Sequence, residues 1–278
     1  MSIQNNPDLR LSFDENGYAI LRNVFSEQET NNMRQATLQS LARRRALGTG
    51  FSRAKNAAGT DYFDLPELLS LEDLAEFDYV VLHPKITHLV QQLVVGSVCY
   101  FGDSTAQIGT GARGFHKDNV HRDDPTGSDW QSNYDVFRLA VYTQDTRSFS
   151  GGMQFRMHSH RSTDRFFGQP KNIRLNKGDV LVWKLTMTHS GNTLLPRFFP
   201  NFSYILPRVT THLPKWLFLP YEKERVALFM SFGSAESEHT KNYIQYFKNR
   251  KDTNKFIPTA LQLSLSEQRN IKLHSLIK

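Results

Sequence analysis

Two periodicities divide the chain. Through roughly the first hundred residues, apolar positions recur at three- and four-residue spacing, the period of a helix face. Ser26-x-x-Glu29 reads as a capping box and predicts a helix running towards Arg45 and stopping near Gly48. After Pro84, the positions Ile86, Leu89, Val90, Leu93 and Val94 predict a second helix with one buried face, ended by Gly96. The Gly- and Ala-rich stretch 46–58 between them reads as a loop or a mobile lid. From Val98 the pattern shortens to apolar runs divided by turn residues, which predicts strands at 98–101, 106–108, 136–142, 153–157, 172–175, 180–185 and 201–206. Two further helices are predicted at 237–249, with Tyr243, Ile244 and Phe247 on one face, and at 264–277, capped by Ser264-x-x-Glu267.

Many short strands in one block, with helices before and after, predict an all-β core with flanking helices (α+β). The expected form is a double-stranded β-helix, the jelly-roll or cupin-like barrel. A single domain over 1–278 is expected. Its parts are a helical N-terminal part at about 10–97, a jelly-roll core at about 98–210 and a C-terminal helical extension at about 211–278.

Composition narrows this picture. With 39% hydrophobic and 22% charged residues, 278 residues make a globular chain with a core of its own. The lone Cys99 excludes an internal disulfide, fits a reducing compartment and reads as a small buried hydrophobe. The polar N-terminus lacks a basic segment followed by an apolar one, and no apolar run approaches a membrane span, so a cytoplasmic location is expected. The net charge of +7 directs attention to anionic partners. Arg43, Arg44 and Arg45 end a predicted helix and complement its dipole there, while the basic residues of the tail lack the spacing of a nucleic-acid motif. The expected partner is therefore a polar or anionic small-molecule substrate and not nucleic acid. With no span, membrane association would be peripheral contact with an anionic surface.

The chemistry concentrates at Phe115-His116-Lys117-Asp118 and at Thr188-His189-Ser190-Gly191-Asn192, followed by Arg197. On an extended segment His116 and Asp118 point to one side and can converge on one ion. Two imidazoles and a carboxylate occupying one face of Fe(II) leave the opposite positions for a cosubstrate and O2. Arg197 offers a planar fork for the far carboxylate of 2-oxoglutarate. His121-Arg122-Asp123 repeats the His-x-Asp pattern, but in a charged stretch rather than beside an apolar segment. By position, Gln107 and Lys117 are candidates for the cosubstrate's first carboxylate. Arg138, Tyr142 and Gln154 are candidates for the substrate, whereas Trp183 belongs to an apolar strand and is expected in the core.

Three segments carry a resemblance to the phytanoyl-CoA dioxygenase superfamily. Phe13-Asp14-Glu15-Asn16-Gly17-Tyr18-Ala19-Ile20 through Ser26 resembles its opening signature. Gly151-Gly152 through His158-Ser159-His160-Arg161 resembles its central segment, with His158 at the place of a glycine. Gly178-Asp179-Val180 through His189-Ser190-Gly191-Asn192 resembles the strand pair carrying the distal ligand. The resemblance covers roughly residues 10 to 210. It implies Fe(II), 2-oxoglutarate and O2, with His116, Asp118 and His189 as metal ligands and Arg197 as cosubstrate partner, although Arg197 follows the distal histidine more closely than the family's usual spacing. Arg208 stands further along the next predicted strand. An intact Asp118 implies hydroxylation of an unactivated C–H rather than halogenation, with succinate and CO2 as coproducts. The substrate expected is a small polar or anionic metabolite or a glycan sugar.

Two rivals remain beside this reading. A nucleic-acid-directed dioxygenase of the same iron class would carry a second arginine where this chain has Ser203. A non-enzymatic cupin-like binding module would need neither the arginine after the distal histidine nor the N-terminal signature.

Overall fold

The computed structural model describes residues 7–55, 61–70, 80–109, 114–199, 213–250 and 257–274. The N-terminal helices are α1 (Pro7–Asn16), α2 (Glu27–Leu47) and α3 (Pro84–Leu93). Helix α2 starts where the capping box predicts: Ser26 Oγ accepts from the Glu29 N–H, and the Glu29 carboxylate accepts from the Ser26 N–H. It ends at Gly48 in the left-handed conformation, with Arg44 and Arg45 in the last turn facing the negative dipole end.

The strands are β1 (Tyr18–Leu21), β2 (Ser52–Lys55), β3 (Asp61–Pro66), β4 (Val98–Ile108), β5 (Phe137–Tyr142), β6 (Gly152–Arg156), β7 (Pro170–Ile173), β8 (Val180–Lys184), β9 (His189–Thr193), β10 (Val226–Ser234) and β11 (Ile271–Leu273). The larger sheet runs β1-β8-β5-β10-β4-β3-β2, with β11 pairing parallel to β4; the smaller runs β7-β6-β9. The core is thus mostly antiparallel with flanking helices, the jelly-roll architecture expected, and no closed barrel forms among the described residues.

The sheet draws on more of the chain than its central block. β1, β2 and β3 come from the part expected to be helical, and β10 from the C-terminal extension, where it lies between β4 and β5. The reason lies in Val226 to Met230, an almost continuous apolar run: a central strand with both faces covered reads that way. The last helices also differ in part. α4 (Glu238–Asn249) is capped by Ser237 and buries Tyr243, Ile244 and Phe247, as predicted. α5 (Ala260–Gln268) starts instead at Thr259, whose capping box with Gln262 competes successfully with Ser264-x-x-Glu267, and the chain then turns into β11.

Apolar packing has three parts. Helices α1 to α3 cover one face of the larger sheet through Phe13, Met33, Leu41, Ile86, Leu89 and Val90. The opposite face packs on the smaller sheet through Tyr142, Phe155, Trp183 and Met187. Helix α4 seats Tyr243, Ile244 and Phe247 against Phe101 and Val136. Cys99 is buried here and its thiol is pushed up to about 12 by burial, which leaves it an apolar filler. No helix among the described residues is long and apolar enough to cross a membrane. The predicted strand at 201–206, with Ser203, and Arg208 lie outside the described residues.

Candidate metal centre

His116 and His189 come together through a two-residue antiparallel bridge: the His116 N–H donates to the His189 carbonyl at 3.0 Å and the reverse bond is 2.9 Å. Two residues on, the Asp118 N–H donates to the Leu185 carbonyl at 3.1 Å, which keeps the segment extended so that alternate side chains share a side. The result is one His116–Asp118–His189 cluster whose ligand atoms all lie within 4.8 Å of one another. Asp118 Oδ1 is 3.6 Å from His116 Nε2, and Asp118 Oδ2 is 3.5 Å from His189 Nε2.

Each imidazole is oriented by its other nitrogen. Nδ1 of His116 lies 2.8 Å from the Gly114 carbonyl and Nδ1 of His189 lies 2.9 Å from that of Met187. A carbonyl can only accept, so both Nδ1 atoms carry the proton and both Nε2 lone pairs face the cluster. Burial by itself would raise the Asp118 carboxyl, but it is held well below the usual carboxylate range, with the Arg138 guanidinium the leading charge that lowers it. Two neutral nitrogens and one ionised carboxylate fit a divalent first-row metal, with Fe(II) among those this donor set suits.

The cluster opens on a cavity of about 1110 Å³ bounded by both sheets and α4, with Trp183, Met153, Phe229 and Tyr243 on its wall. At one side of it lies Arg225, almost wholly buried at the start of β10. Its Nε donates to the Gly151 carbonyl at 3.0 Å and its Nη1 to Gln107 Oε1 at 2.5 Å. The guanidinium carbon sits 5.4 Å from the Tyr142 ring and 5.8 Å from the Phe229 ring. The buried Tyr142 hydroxyl meets no described partner other than that guanidinium. No described carboxylate pairs with Arg225, and burying an unpaired cation is costly. This corner therefore suits an anionic group from outside the chain.

Comparison with known proteins fits these features. Residues 13–194 match the family described as phytanoyl-CoA dioxygenase (PhyH). The chain belongs to the phytanoyl-CoA dioxygenase family. It is accordingly an oxygenase of the iron- and 2-oxoglutarate-dependent class, with O2 as the second cosubstrate. Similar solved structures include the non-heme alpha ketoglutarate dependent epimerase SnoN from nogalamycin biosynthesis, at TM-score 0.56 and 16% identity over 82% of this chain and 81% of that one. HygX from Streptomyces hygroscopicus, with nickel, 2-oxoglutarate and hygromycin B bound, matches at TM-score 0.56 and 13% identity over 84% and 89%. AviO1 from Streptomyces viridochromogenes Tue57 matches at TM-score 0.58 and 14% identity over 85% and 98%. At these identities the likeness is one of fold. A search of curated proteins finds no match.

Within the phytanoyl-CoA dioxygenase frame, several expected residues take other places. Arg197 is exposed and outside the cavity; its Nε donates to the Trp216 carbonyl at 3.0 Å, because residues 195–197 pair with 217–219 and carry it away from the cluster. Arg225, by contrast, does line the cavity. The signal that could have found it is an arginine directly ahead of the apolar run Val226-Ala227-Leu228-Phe229, hidden by its distance from His189. Gln107 does stand in that corner, bonded to Arg225 and to Asp64. Lys117 points away from its neighbours and donates to the Ser159 and Thr186 carbonyls at 2.7 and 2.6 Å, a buried tie between loops; burial lowers its ammonium to about 7. Gln154 alternates with inward Met153 and Phe155, so it faces away from the cavity and bonds Asn172 on β7. Tyr142 lies at the Arg225 corner rather than beside the substrate space, and Arg138 lines the cavity with each of its nitrogens donating to a protein group. His121 packs on Asp129 instead of joining the cluster. His158 is exposed with φ 61°, the left-handed turn that explains a glycine at this place in relatives.

Proposed function

We propose that this chain hydroxylates an unactivated C–H bond of a small, polar, sugar-bearing metabolite, consuming O2 and 2-oxoglutarate and releasing succinate and CO2. The convergence of His116, Asp118 and His189 on a cavity also lined by the buried Arg225, which has no carboxylate partner among the described residues, is the observation that carries this reading. The first three residues hold Fe(II). Arg225 receives the far carboxylate of 2-oxoglutarate, with the Tyr142 hydroxyl as a second donor and Gln107 fixing the guanidinium. Iron held there would supply the oxidising chemistry when bound with 2-oxoglutarate and O2, one oxygen atom of O2 passing to succinate and the other to the substrate as hydroxyl.

The rest of the cavity supports the substrate class. Asp103 Oδ2 takes three donors, but Oδ1 takes none from the described residues and stands on the cavity wall as an acceptor for a substrate hydroxyl. Tyr243, Tyr246 and Phe247 of α4 offer aromatic surface on the same wall, and Arg122, Arg165 and Arg250 line it as well, suited to an anionic substituent. SnoN and HygX are described with nogalamycin biosynthesis and hygromycin B, which makes glycosylated metabolites the first compounds to try. The test has two steps. Anaerobic Fe(II) and 2-oxoglutarate should give a weak visible charge-transfer band, and succinate release should then rise above the substrate-free rate with sugar phosphates or glycosides. A protein with no such band would refute the reading of the metal centre.

A further inference from the structure

Arg138 was expected to meet substrate, and each of its three guanidinium nitrogens already donates to a protein group. Nη1 donates to Asp118 Oδ2 at 2.8 Å, Nη2 to Asp103 Oδ2 at 2.6 Å, and Nε to Ser231 Oγ at 3.0 Å. The far carboxylate is itself fixed: Ser231 Oγ and Tyr243 Oη each donate to Asp103 Oδ2 at 2.8 Å. Four elements thus close one network, with Asp103 from β4, Arg138 from β5, Ser231 from β10 and Tyr243 from α4. The guanidinium is anchored from behind and cannot follow Asp118 if that side chain turns.

This asymmetry matters at the metal centre. Asp118 Oδ2 has a lone pair committed to Arg138, whereas Oδ1 takes no hydrogen bond from the described residues and faces His116 Nε2 at 3.6 Å. A carboxylate with both oxygens free can close on a divalent ion through both, and so take a position that a chelating cosubstrate needs. We propose that Arg138, braced by Asp103, is a positioning residue that restricts Asp118 to ligation through one oxygen and thereby keeps a coordination position open for 2-oxoglutarate. The proposal rests on the metal-centre reading above and adds a role for two residues that touch neither metal nor cosubstrate.

The test uses the full chain as Arg138→Met, Arg138→Lys and Asp103→Asn, each checked for folding by its thermal midpoint. Fe(II) affinity is measured first without cosubstrate. The charge-transfer band is then titrated with 2-oxoglutarate under anaerobic conditions, and Co(II)-loaded samples report coordination number through the intensity of their visible absorption. Arg138→Met should keep metal binding within a few-fold of the parent. Its 2-oxoglutarate requirement for the band should rise roughly tenfold or more, the range of a lost charge-assisted bond. Arg138→Lys, with one donor to offer, should recover part of the loss, and Asp103→Asn should show a smaller shift in the same direction. An unchanged 2-oxoglutarate titration in Arg138→Met overturns the proposal, as does loss of metal with the band, which would make Arg138 a support of the site as a whole. Should Arg138→Met not fold, an Asp103→Asn titration identical to the parent overturns it. A parent protein without the band refutes the metal-centre reading, a result distinct from variants that match a competent parent.

Discussion

Replacing His189 with Ala removes one of the three residues proposed to hold the metal and should abolish both tight metal binding and succinate formation, read by metal content after dialysis and by succinate release. His121→Ala should leave both intact, because its ring packs on Asp129 rather than on the cluster. The two arginines separate in the same way. Arg225→Ala should raise the apparent 2-oxoglutarate requirement roughly 10- to 100-fold, on the order of 1.5–3 kcal/mol for a lost charged hydrogen-bonded pair. Arg197→Ala should leave it unchanged, since that side chain lies outside the cavity. A dependence that weakens only in Arg197→Ala would move the cosubstrate to the other end of the site.

At the scale of elements, the turn between β7 and β8 is a tight fit. Gly178 has φ +91°, and a Cβ there would stand 2.2 Å from the Phe25 carbonyl oxygen, whose own residue donates its N–H to the Gly178 carbonyl. Gly178→Ala should therefore cost about 2 kcal/mol or more, through both the left-handed backbone and the clash, seen as a lower denaturant midpoint with an unchanged slope. The capped and amphipathic helices were legible because their signals are local: Ser26 with Glu29, and the stripe from Ile86 to Leu93. The convergence of His116 and Asp118 was legible for a similar reason, since their alternation survives in any extended segment. Arg225 was not, because its place depends on which strand inserts between β4 and β5. That choice is made by pairing over long sequence separations, which no local pattern encodes. Gln154 sits beside Met153, which does face the cavity, and alternation turned it away, while Lys117 lines the cavity with its ammonium tied to the Ser159 and Thr186 carbonyls.

For the molecule as a whole, one buried acid ties stability to pH. Glu67 lies among Tyr100, Ser104 and the Leu69 N–H, and burial raises its carboxyl from 4.5 to about 7. Between those values the folded chain holds a proton that the unfolded chain has released. Stability should therefore fall as pH rises from about 4.5 to about 7 and be free of this effect above. Glu67→Gln keeps an acceptor for Tyr100 and Leu69 without a charge to bury, so it should flatten that slope. Thermal midpoints of parent and variant that run parallel across the interval would show that Glu67 does not titrate there.

The insertion of β10 between β4 and β5 has a temporal side. Synthesis delivers His116, Asp118 and His189 well before Val226 leaves the ribosome, so a growing chain holds all three ligands while β4 and β5 still lack the neighbour that joins them. Until that strand arrives, both flanks expose unpaired N–H and C=O groups and apolar side chains, the condition in which nascent sheets recruit chaperones or one another. Arg225 and Tyr243 arrive with the same stretch, so the corner suited to 2-oxoglutarate and the brace behind Asp118 are completed in one late event. Iron met earlier by the half-made protein would find its ligands without the pocket that directs its reactivity.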